Sequence, residues 1–320
     1  MSDAKPGDVI KISKGVYRQS VVIKNKNNIE VKAAKGAVID ADGADEGLSI
    51  INCTGIMVKK LAIRNTDKDG VLVESSSDIT LKNMNVTAVG NHCIRFRGVT
   101  DSLIEKCKVS HAEHDGIHIE GDAVVVSDNV VQHVLGDGIG IAGSNNTMID
   151  NNLFDIGDDG CQVGDDILPT QFNLVMGNVV KKIGSTLGSN GIKVTTASDT
   201  TVMDNEVNKA GDVGISVEFS DDCVVQGNLV RNSGGSGIFL DLSVGTTLSQ
   251  NTVENSAKDG VCLRVGADDT TIAGVTIVDS KSNGLHIERA NTSVDNSSAM
   301  NSGKFDLKDN GQNTVITNSD

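Results

Sequence analysis

The chain has 320 residues and a formal net charge of -15, with 28 basic side chains against 43 acidic ones. This balance argues against a nucleic-acid or anionic-membrane partner, since either requires a basic face, and no run reaches the roughly 18 apolar residues of a membrane helix. With 35 glycines, two prolines, one tyrosine and no tryptophan, the composition also argues against a core built on aromatic anchors.

The first predicted element is a strand and turn with the sequence PGDVIKISKGVY, Pro6–Tyr17. Residues 1–20 are predicted to form the N-terminal edge of the fold. Met1–Asp8 lacks the apolar segment of a signal peptide, so no such peptide is predicted there.

The central part of the chain is a repeat of Gly followed by apolar-x-apolar, which predicts short strands separated by turns. Successive repeats are 23, 23, 23, 22, 22, 31, 23, 23, 23 and 24 residues apart. They begin at Gly47, Gly70, Cys93 (in place of Gly), Gly116, Gly138, Gly160, Gly191, Gly214, Gly237, Gly260 and Gly284. Such regular units are expected to stack in parallel.

A second column of the repeat is rich in asparagine. An inward Asn at a tight turn tolerates the left-handed conformation and satisfies backbone groups of the neighbouring turns, so we predict that this column is structural. Its members are Asn129, Asn152, Asn178, Asn205, Asn228 and Asn251, with Leu61, Met84 and Cys107 before them and Val275 after.

The last predicted element, residues 301–320, is polar and irregular, as is typical of a terminal cap of a repeat protein. The six cysteines form no CxxC pair and are predicted to be mostly buried thiols.

These features resemble the right-handed parallel β-helix of pectate lyases, polygalacturonases, alginate epimerases and many tail-spike proteins, and in particular the family of parallel β-helix repeats. The resemblance covers essentially the whole chain. It implies one all-β domain over residues 1–320, a solenoid of about twelve coils with about 23 residues each. We expect the native protein to be secreted or periplasmic.

The stretch GDDGCQVGDDILPTQF, residues 157–172, concentrates negative charge. With GDG at residues 136–138 it is similar to the aspartate motifs of polygalacturonases, which implies that Asp137, Asp158 and Asp159 act as general acid and base. Other motifs of that family differ here, because SNG at residues 189–191 replaces GHG. Asp before Gly is also ordinary turn chemistry, as at Asp69 and Asp259, so a purely structural interpretation stays open.

A trough is predicted over Gly140, which lacks a side chain between larger polar neighbours on adjacent coils. The predicted substrate-binding residues are Arg95, Arg97, His114, Asp115, Glu120, Gly140, Gln162 and Lys193. In alginate epimerases and some lyases of this fold, a basic side chain abstracts the C5 proton of a uronate while a cation or an acid neutralises the carboxylate. The resemblance implies these parts for His118, with Arg95 or Lys193.

A calcium site is a further hypothesis, with Asp158, Asp159, Asp165 and Asp166 as its ligands, because Ca²⁺ prefers several carboxylate oxygens. No other cofactor is expected. The main functional hypothesis is a carbohydrate-active protein that binds an extended polysaccharide, with or without uronate units, and hydrolyses it through the aspartates. The alternatives are a polysaccharide lyase or C5-epimerase working through His118, and a non-catalytic scaffold or adhesin.

Overall fold

The computed structural model describes residues 3–165, 169–184, 188–288, 291–311, 313–317 and 319. It is an all-β parallel solenoid of about 13 turns with about 23 residues per turn, and the described residues contain no helix. The predicted fold class is therefore confirmed, with about one turn more than expected. No helix long and apolar enough to cross a membrane occurs in the described part of the chain.

The chain forms two compact units, Met1–Leu153 and Phe154–Asp320. The strands of the first unit are β1 (Val9–Ile12), β2 (Gly15–Arg18), β3 (Val21–Lys24), β4 (Asn27–Ala33), β5 (Ala37–Asp40), β6 (Leu48–Ile51), β7 (Thr54–Lys59), β8 (Ala62–Thr66), β9 (Val71–Glu74), β10 (Ser77–Lys82), β11 (Asn85–Val89), β12 (Ile94–Glu105), β13 (Lys108–Ala112), β14 (Ile117–Ser127), β15 (Val130–Val134), β16 (Ile139–Ala142) and β17 (Thr147–Ile149). Strand β18 (Asn152–Ile156) begins in the first unit and ends in the second.

The strands of the second unit are β19 (Cys161–Val163), β20 (Thr170–Gln171), β21 (Leu174–Met176), β22 (Val179–Ile183), β23 (Ile192–Thr195), β24 (Ala197–Ser198), β25 (Thr201–Met203), β26 (Glu206–Asn208), β27 (Ile215–Glu218), β28 (Val224–Gln226), β29 (Leu229–Arg231), β30 (Ile238–Asp241), β31 (Thr247–Ser249), β32 (Thr252–Glu254), β33 (Val261–Leu263), β34 (Thr270–Ala273), β35 (Thr276–Val278), β36 (Leu285–Ile287), β37 (Thr292–Asp295), β38 (Ser298–Met300), β39 (Leu307–Asp309) and β40 (Val315–Thr317).

Parallel pairing between successive coils places equivalent residues side by side. In the first unit β12 pairs with β14 and β14 with β16, so that Arg95, His118 and Gly140 are partners in one row. In the second unit β30 pairs with β33 and β33 with β36, which aligns Phe239, Cys262 and His286 in the same way. The inward residues of each strand stack on like residues, and this stacking forms the aliphatic core.

The recurrent glycine is explained by close approach inside each coil. A Cβ atom on Gly116 would lie 2.3 Å from Val131 Cγ1, and one on Gly214 would lie 2.2 Å from Val230 Cγ1. No carbon atom fits at such distances, so only glycine, which has no Cβ atom, can occupy this position. All six cysteines are free and buried, which confirms the prediction of buried thiols.

Buried asparagines hydrogen-bond from one coil to the next. The Oδ1 atom of Asn205 accepts from the backbone N–H of Asn178 at 2.8 Å, and Asn228 and Asn251 continue the same pattern. In the first unit the partner of Asn129 is Asn151, whereas Asn152 is exposed. The placement of Asn152 in this column was therefore wrong by one residue.

Replacing Asn205 by leucine is expected to destabilise the protein by at least about 3 kcal/mol, because several buried groups lose their partner and each costs roughly 1–3 kcal/mol. These include the N–H of Asn178 and the carbonyl of Val175, which accepts from Asn205 Nδ2 at 2.9 Å. Denaturant titration measures the change, and the exposed Asn152→Leu is the control. Equal stability of the two variants would contradict a structural role for the column.

Candidate functional site

Aspartates that precede the recurrent glycine link the turns of successive coils. Asp159 Oδ1 accepts from the backbone N–H of Asn190 at 2.6 Å and from its Nδ2 at 3.1 Å. Asp259 Oδ1 makes the same two bonds to Asn283, at 2.8 and 2.7 Å. Asp69 Oδ1 accepts from the N–H of the next turn at 3.2 Å. These aspartates therefore share a structural role, which is to accept hydrogen bonds from the turn of the next coil.

His118 and Asp115 form a hydrogen-bonded pair in the first unit. Asp115 ends the turn before β14, and His118 is the second residue of that strand, so both side chains face the same side of one coil. His118 Nδ1 lies 2.8 Å from Asp115 Oδ2. The other oxygen of Asp115 accepts from the backbone N–H of Asp137 at 2.8 Å, which fixes the carboxylate.

His92 packs beside this pair. Its ring stacks on that of His118, with centroids 4.7 Å apart and planes at 24°. His92 Nδ1 accepts from the backbone N–H of Asp115 at 3.2 Å and lies 3.3 Å from Asp115 Oδ2. One nitrogen cannot accept and donate together, so the tautomer of His92 decides which of these two partners Nδ1 serves. The exposed His114 lies further out, 5.6 Å from His92 between ring centroids.

The ionised form of Asp115 is favoured by its partners. Burial alone would raise the pKa of this carboxyl, but the hydrogen bonds from His118 and His92 outweigh burial and hold the pKa well below its ordinary value. An ionised Asp115 accepts the Nδ1 proton of His118. Nε2 of His118 is then the basic nitrogen, and the side chain is 27% exposed.

A second ion pair borders His118. Arg95 Nη2 contacts Glu120 Oε1 at 2.6 Å, and the same oxygen lies 3.5 Å from His118 Nε2. Gly140 itself is buried, and a Cβ atom on it would lie in ordinary van der Waals contact, 3.6 Å from His118 Nδ1. Arg97 instead pairs with Glu74 at 2.6 Å. The first unit therefore brings together His118, Asp115, Glu120, Arg95 and Gly140.

The remaining predicted site residues of the second unit form a smaller group. Lys193 Nζ lies 3.8 Å from the buried carboxylate of Asp159, while Asp158 is exposed. Gln162 Nε2 on β19 donates to the carbonyl of Gly164, just after that strand, at 3.1 Å. Burial raises the pKa of Asp159 to about 6, against the lowering effect of the Asn190 hydrogen bonds and the Lys193 charge.

The structure describes only some of the residues that are predicted to bind calcium. Asp165 is half-buried, and Asp166 lies outside the described residues. Addition of Ca²⁺ is expected to raise the melting temperature if these aspartates bind the ion, and Asp159→Asn is expected to abolish the rise. Equal melting curves with millimolar Ca²⁺ and with chelator would remove the hypothesis.

A cluster of Asp259, Cys262 and His286 in the second unit was not foreseen as a site. Each residue offers one ligand atom, and these atoms lie within 4.8 Å of one another. His286 Nδ1 is 3.1 Å from Asp259 Oδ2 and 4.0 Å from Cys262 Sγ. The signal was present in the repeat, since Cys262 and His286 are the third residues of successive repeats and Asp259 precedes the first of these.

Two family models match the chain. The model described as "Right handed beta helix region" matches residues 19–180 and 69–230. The model described as "Periplasmic copper-binding protein (NosD)" matches residues 158–319. No curated protein matches the chain in sequence.

Solved structures of several functional classes share the fold. The Mannuronan C-5 epimerase AlgE6 A-module of Azotobacter vinelandii is 14% identical, with 98% of this chain and 90% of that chain covered and a TM-score of 0.75. The GH136 lacto-N-biosidase from Eubacterium ramulus is 13% identical over 89% and 63%, with a TM-score of 0.66. PfbA, a surface adhesin of Streptococcus pneumoniae, is 12% identical over 91% and 85%, with a TM-score of 0.52. At these identities the likeness establishes the fold alone.

Proposed function

The chain belongs to the right-handed β-helix family and, over residues 158–319, to the family described as periplasmic copper-binding protein (NosD), and we propose that the face of its first unit around His118 acts on a uronate-containing polysaccharide. The observation that carries the proposal is the 2.8 Å contact of His118 Nδ1 with Asp115, which leaves Nε2 as a partly exposed base.

In the proposed reaction His118 takes the C5 proton of a uronate on Nε2. The electron pair left on C5 delocalises into the sugar carboxylate, and Arg95 neutralises the charge that develops there. In epimerisation a proton returns to C5 from the opposite face. In elimination the pair forms the C4–C5 double bond, the C4–O4 bond breaks, and the departing oxygen takes a proton. Neither route needs an oxidant or a reductant.

Asp115 is the positioning residue of this mechanism. It fixes the imidazole tautomer through Nδ1 and stabilises the imidazolium that forms when Nε2 takes the proton. Its carboxylate is itself held by the backbone N–H of Asp137, so the chain positions it before substrate binds. The epimerase among the similar structures supports this choice of chemistry by analogy of fold.

Glu120→Gln is expected to lower the KM for a uronate polymer by about 3- to 10-fold, because Glu120 competes with the sugar carboxylate for Arg95. Steady-state kinetics measure the effect. Glu254→Gln is the control, since it removes a comparable ion pair, to Arg231, from the second unit. An unchanged or raised KM in Glu120→Gln alone would contradict the assignment of Arg95.

Hydrolysis through Asp137, Asp158 and Asp159 is the rival proposal. A carboxyl pKa of about 6 at Asp159 supports it, since a general acid must hold its proton near neutral pH. Its products would carry new reducing ends without a double bond. The activity would survive His118→Ala and be lost in Asp158→Asn and Asp159→Asn. A non-catalytic binding role, which analogy with an adhesin of this fold suggests, would show binding without turnover.

The test is a screen of alginate, polymannuronate, polygalacturonate and neutral polysaccharides. Reducing ends, ultraviolet absorbance of the unsaturated product and proton NMR of the C5 configuration are followed on the same samples. We expect a change at C5, by epimerisation or elimination, on a polyuronate only. New reducing ends without unsaturation would instead show a hydrolase. Binding without any reaction would show a non-catalytic scaffold.

A further inference from the structure

The cluster of Asp259, Cys262 and His286 does not have the arrangement of a catalytic triad. In such a triad the acid contacts one imidazole nitrogen and the nucleophile contacts the other. Here the carboxylate and the thiol both approach Nδ1 of His286, at 3.1 and 4.0 Å. Burial also raises the pKa of the Cys262 thiol to about 12, which is unfavourable for a nucleophile. The cluster therefore calls for a different interpretation.

The distances suit three ligands of one metal ion. In a tetrahedral zinc-type site, bond lengths near 2.0–2.3 Å place a sulfur and a nitrogen ligand about 3.6 Å apart, and a nitrogen and an oxygen ligand about 3.4 Å apart. The observed separations, 4.0 and 3.1 Å, lie within about 0.4 Å of these values. The third separation, between the carboxylate of Asp259 and Sγ of Cys262, is within 4.8 Å.

Polar atoms around the cluster lack partners within the described part of the protein. His286 Nε2 and Asn283 Oδ1 are both buried and make no hydrogen bond to any described group. Asn283 is 3% exposed, and its amide nitrogen donates to Asp259. Unsatisfied buried groups cost free energy, and a water coordinated to an ion in this cluster would be a donor for Asn283 Oδ1, whereas His286 Nε2 lies across the ring from the ligand atom Nδ1.

The comparable cluster of the first unit is His92, Asp115 and His118. There His92 Nδ1 accepts a backbone N–H and His118 Nδ1 contacts Asp115, as His286 Nδ1 contacts Asp259 in the second unit. The first-unit group differs because it lacks a sulfur ligand. The second-unit cluster offers a thiol, an imidazole and a carboxylate, of which the thiol selects against Ca²⁺ and Mg²⁺.

We propose that Asp259, Cys262 and His286 bind one thiophilic transition-metal ion, Cu⁺ or Zn²⁺, with a fourth position left to water or an exogenous ligand. The site lies within residues 158–319, the segment that matches the family described as copper-binding. Binding replaces the thiol proton of Cys262 by the metal and releases that proton to solvent. This site shares no residue with the proposed His118 face, so either assignment can fail alone.

One neighbour opposes cation binding. Lys308 on β39 is the register partner of His286, and therefore carries positive charge one coil away. Its replacement by methionine is expected to tighten metal binding by about 3- to 10-fold at low salt, because two like charges at such distances repel.

The experiment is titration of the whole, reduced chain with Co²⁺, Zn²⁺ and, under anaerobic conditions, Cu⁺ in competition with a chromophoric chelator. We expect one equivalent of metal, a thiolate-to-cobalt charge-transfer band, and its loss on addition of Zn²⁺ or Cu⁺. Cys262→Ser is expected to abolish the band and weaken Zn²⁺ binding by at least about 100-fold. Cys223→Ser is the matched control, since Cys223 is also buried and free.

His286→Gln provides a second variant if Cys262→Ser folds poorly, and melting curves without metal establish folding in each case. We expect His286→Gln to weaken Zn²⁺ binding by at least about 100-fold, as for Cys262→Ser. The proposal would be overturned by a charge-transfer band that persists in Cys262→Ser, by the absence of any band in the unmodified chain, or by Ca²⁺ displacing Co²⁺. Preference between Cu⁺ and Zn²⁺ follows from the two competition arms.

Discussion

His118→Ala is expected to lower turnover on a uronate polymer by about 10²- to 10⁴-fold, the usual effect of losing a general base. Asp115→Asn is expected to lower kcat by about 10²-fold or more with a small change in KM. The amide cannot hold the Nδ1 proton as a carboxylate does, and the imidazolium loses its counter-charge. Initial rates across pH, with proton NMR of the C5 centre, measure both effects.

The control for these variants is His111→Asn. His111 is exposed, and asparagine tolerates its positive φ of 57°. Its rates should equal those of the unmodified protein. If His118→Ala retained full activity while His111→Asn did not, the base would be elsewhere among the histidines. If Asp115→Asn changed only the melting temperature, Asp115 would be a turn residue without a part in catalysis.

Asp159→Asn is expected to stabilise the protein at pH 7 by roughly 3 kcal/mol, which follows from a carboxyl pKa of about 6 in the fold against an ordinary value of 3.8. The folded state binds more protons between these values, so the unmodified protein loses stability as pH rises from about 4 to 6. Asparagine keeps an acceptor for the Asn190 N–H and carries no charge. The gain should vanish below about pH 4.

Asp259→Asn is the matched control because Asp259 accepts the same pair of bonds from its own asparagine. Burial opposes its ionisation, but hydrogen bonds from Asn283, Ser282 and His286 lower its pKa overall. Its ionised form therefore adds stability above the unfolded pKa, and this contribution is lost as pH falls. The variant should be destabilised at pH 7 in the presence of chelator. Denaturant titrations at pH 4 and 7 measure the free energy of unfolding of both variants. If the substitutions shifted this free energy with the same sign, burial of Asp159 would be contradicted as the cause.

The fold was predictable because each turn of the solenoid repeats the same physical constraint. The close contact between Gly116 and Val131 recurs in other coils and leaves a glycine about every 23 residues. The choice between Asn151 and Asn152 was less evident, since both are asparagines. The spacing contained the answer: Asn129 to Asn151 is 22 residues, as is Gly116 to Gly138 in the same coil.

The candidate site was predictable only as a set of columns. Register placed Arg95, His118 and Gly140 in one row, and the strand pairs agree with that alignment. The pairing of His118 with Asp115 depends on rotamers, and so does the stacking of His92, which periodicity does not encode. For the same reason the cluster of Asp259, Cys262 and His286 was not predicted, because its members lie in two columns of the repeat and on two coils.

The most direct measurement of the central claim is incubation of the protein with polymannuronate in D2O, followed by NMR and mass spectrometry of the polymer. Removal of the C5 proton by His118 predicts either deuterium at C5 of epimerised residues or unsaturated ends that have lost the C5 hydrogen, and neither in His118→Ala. Cleavage with every C5 hydrogen retained, or a polymer that is bound and left unchanged together with the other polyuronates, would contradict the account.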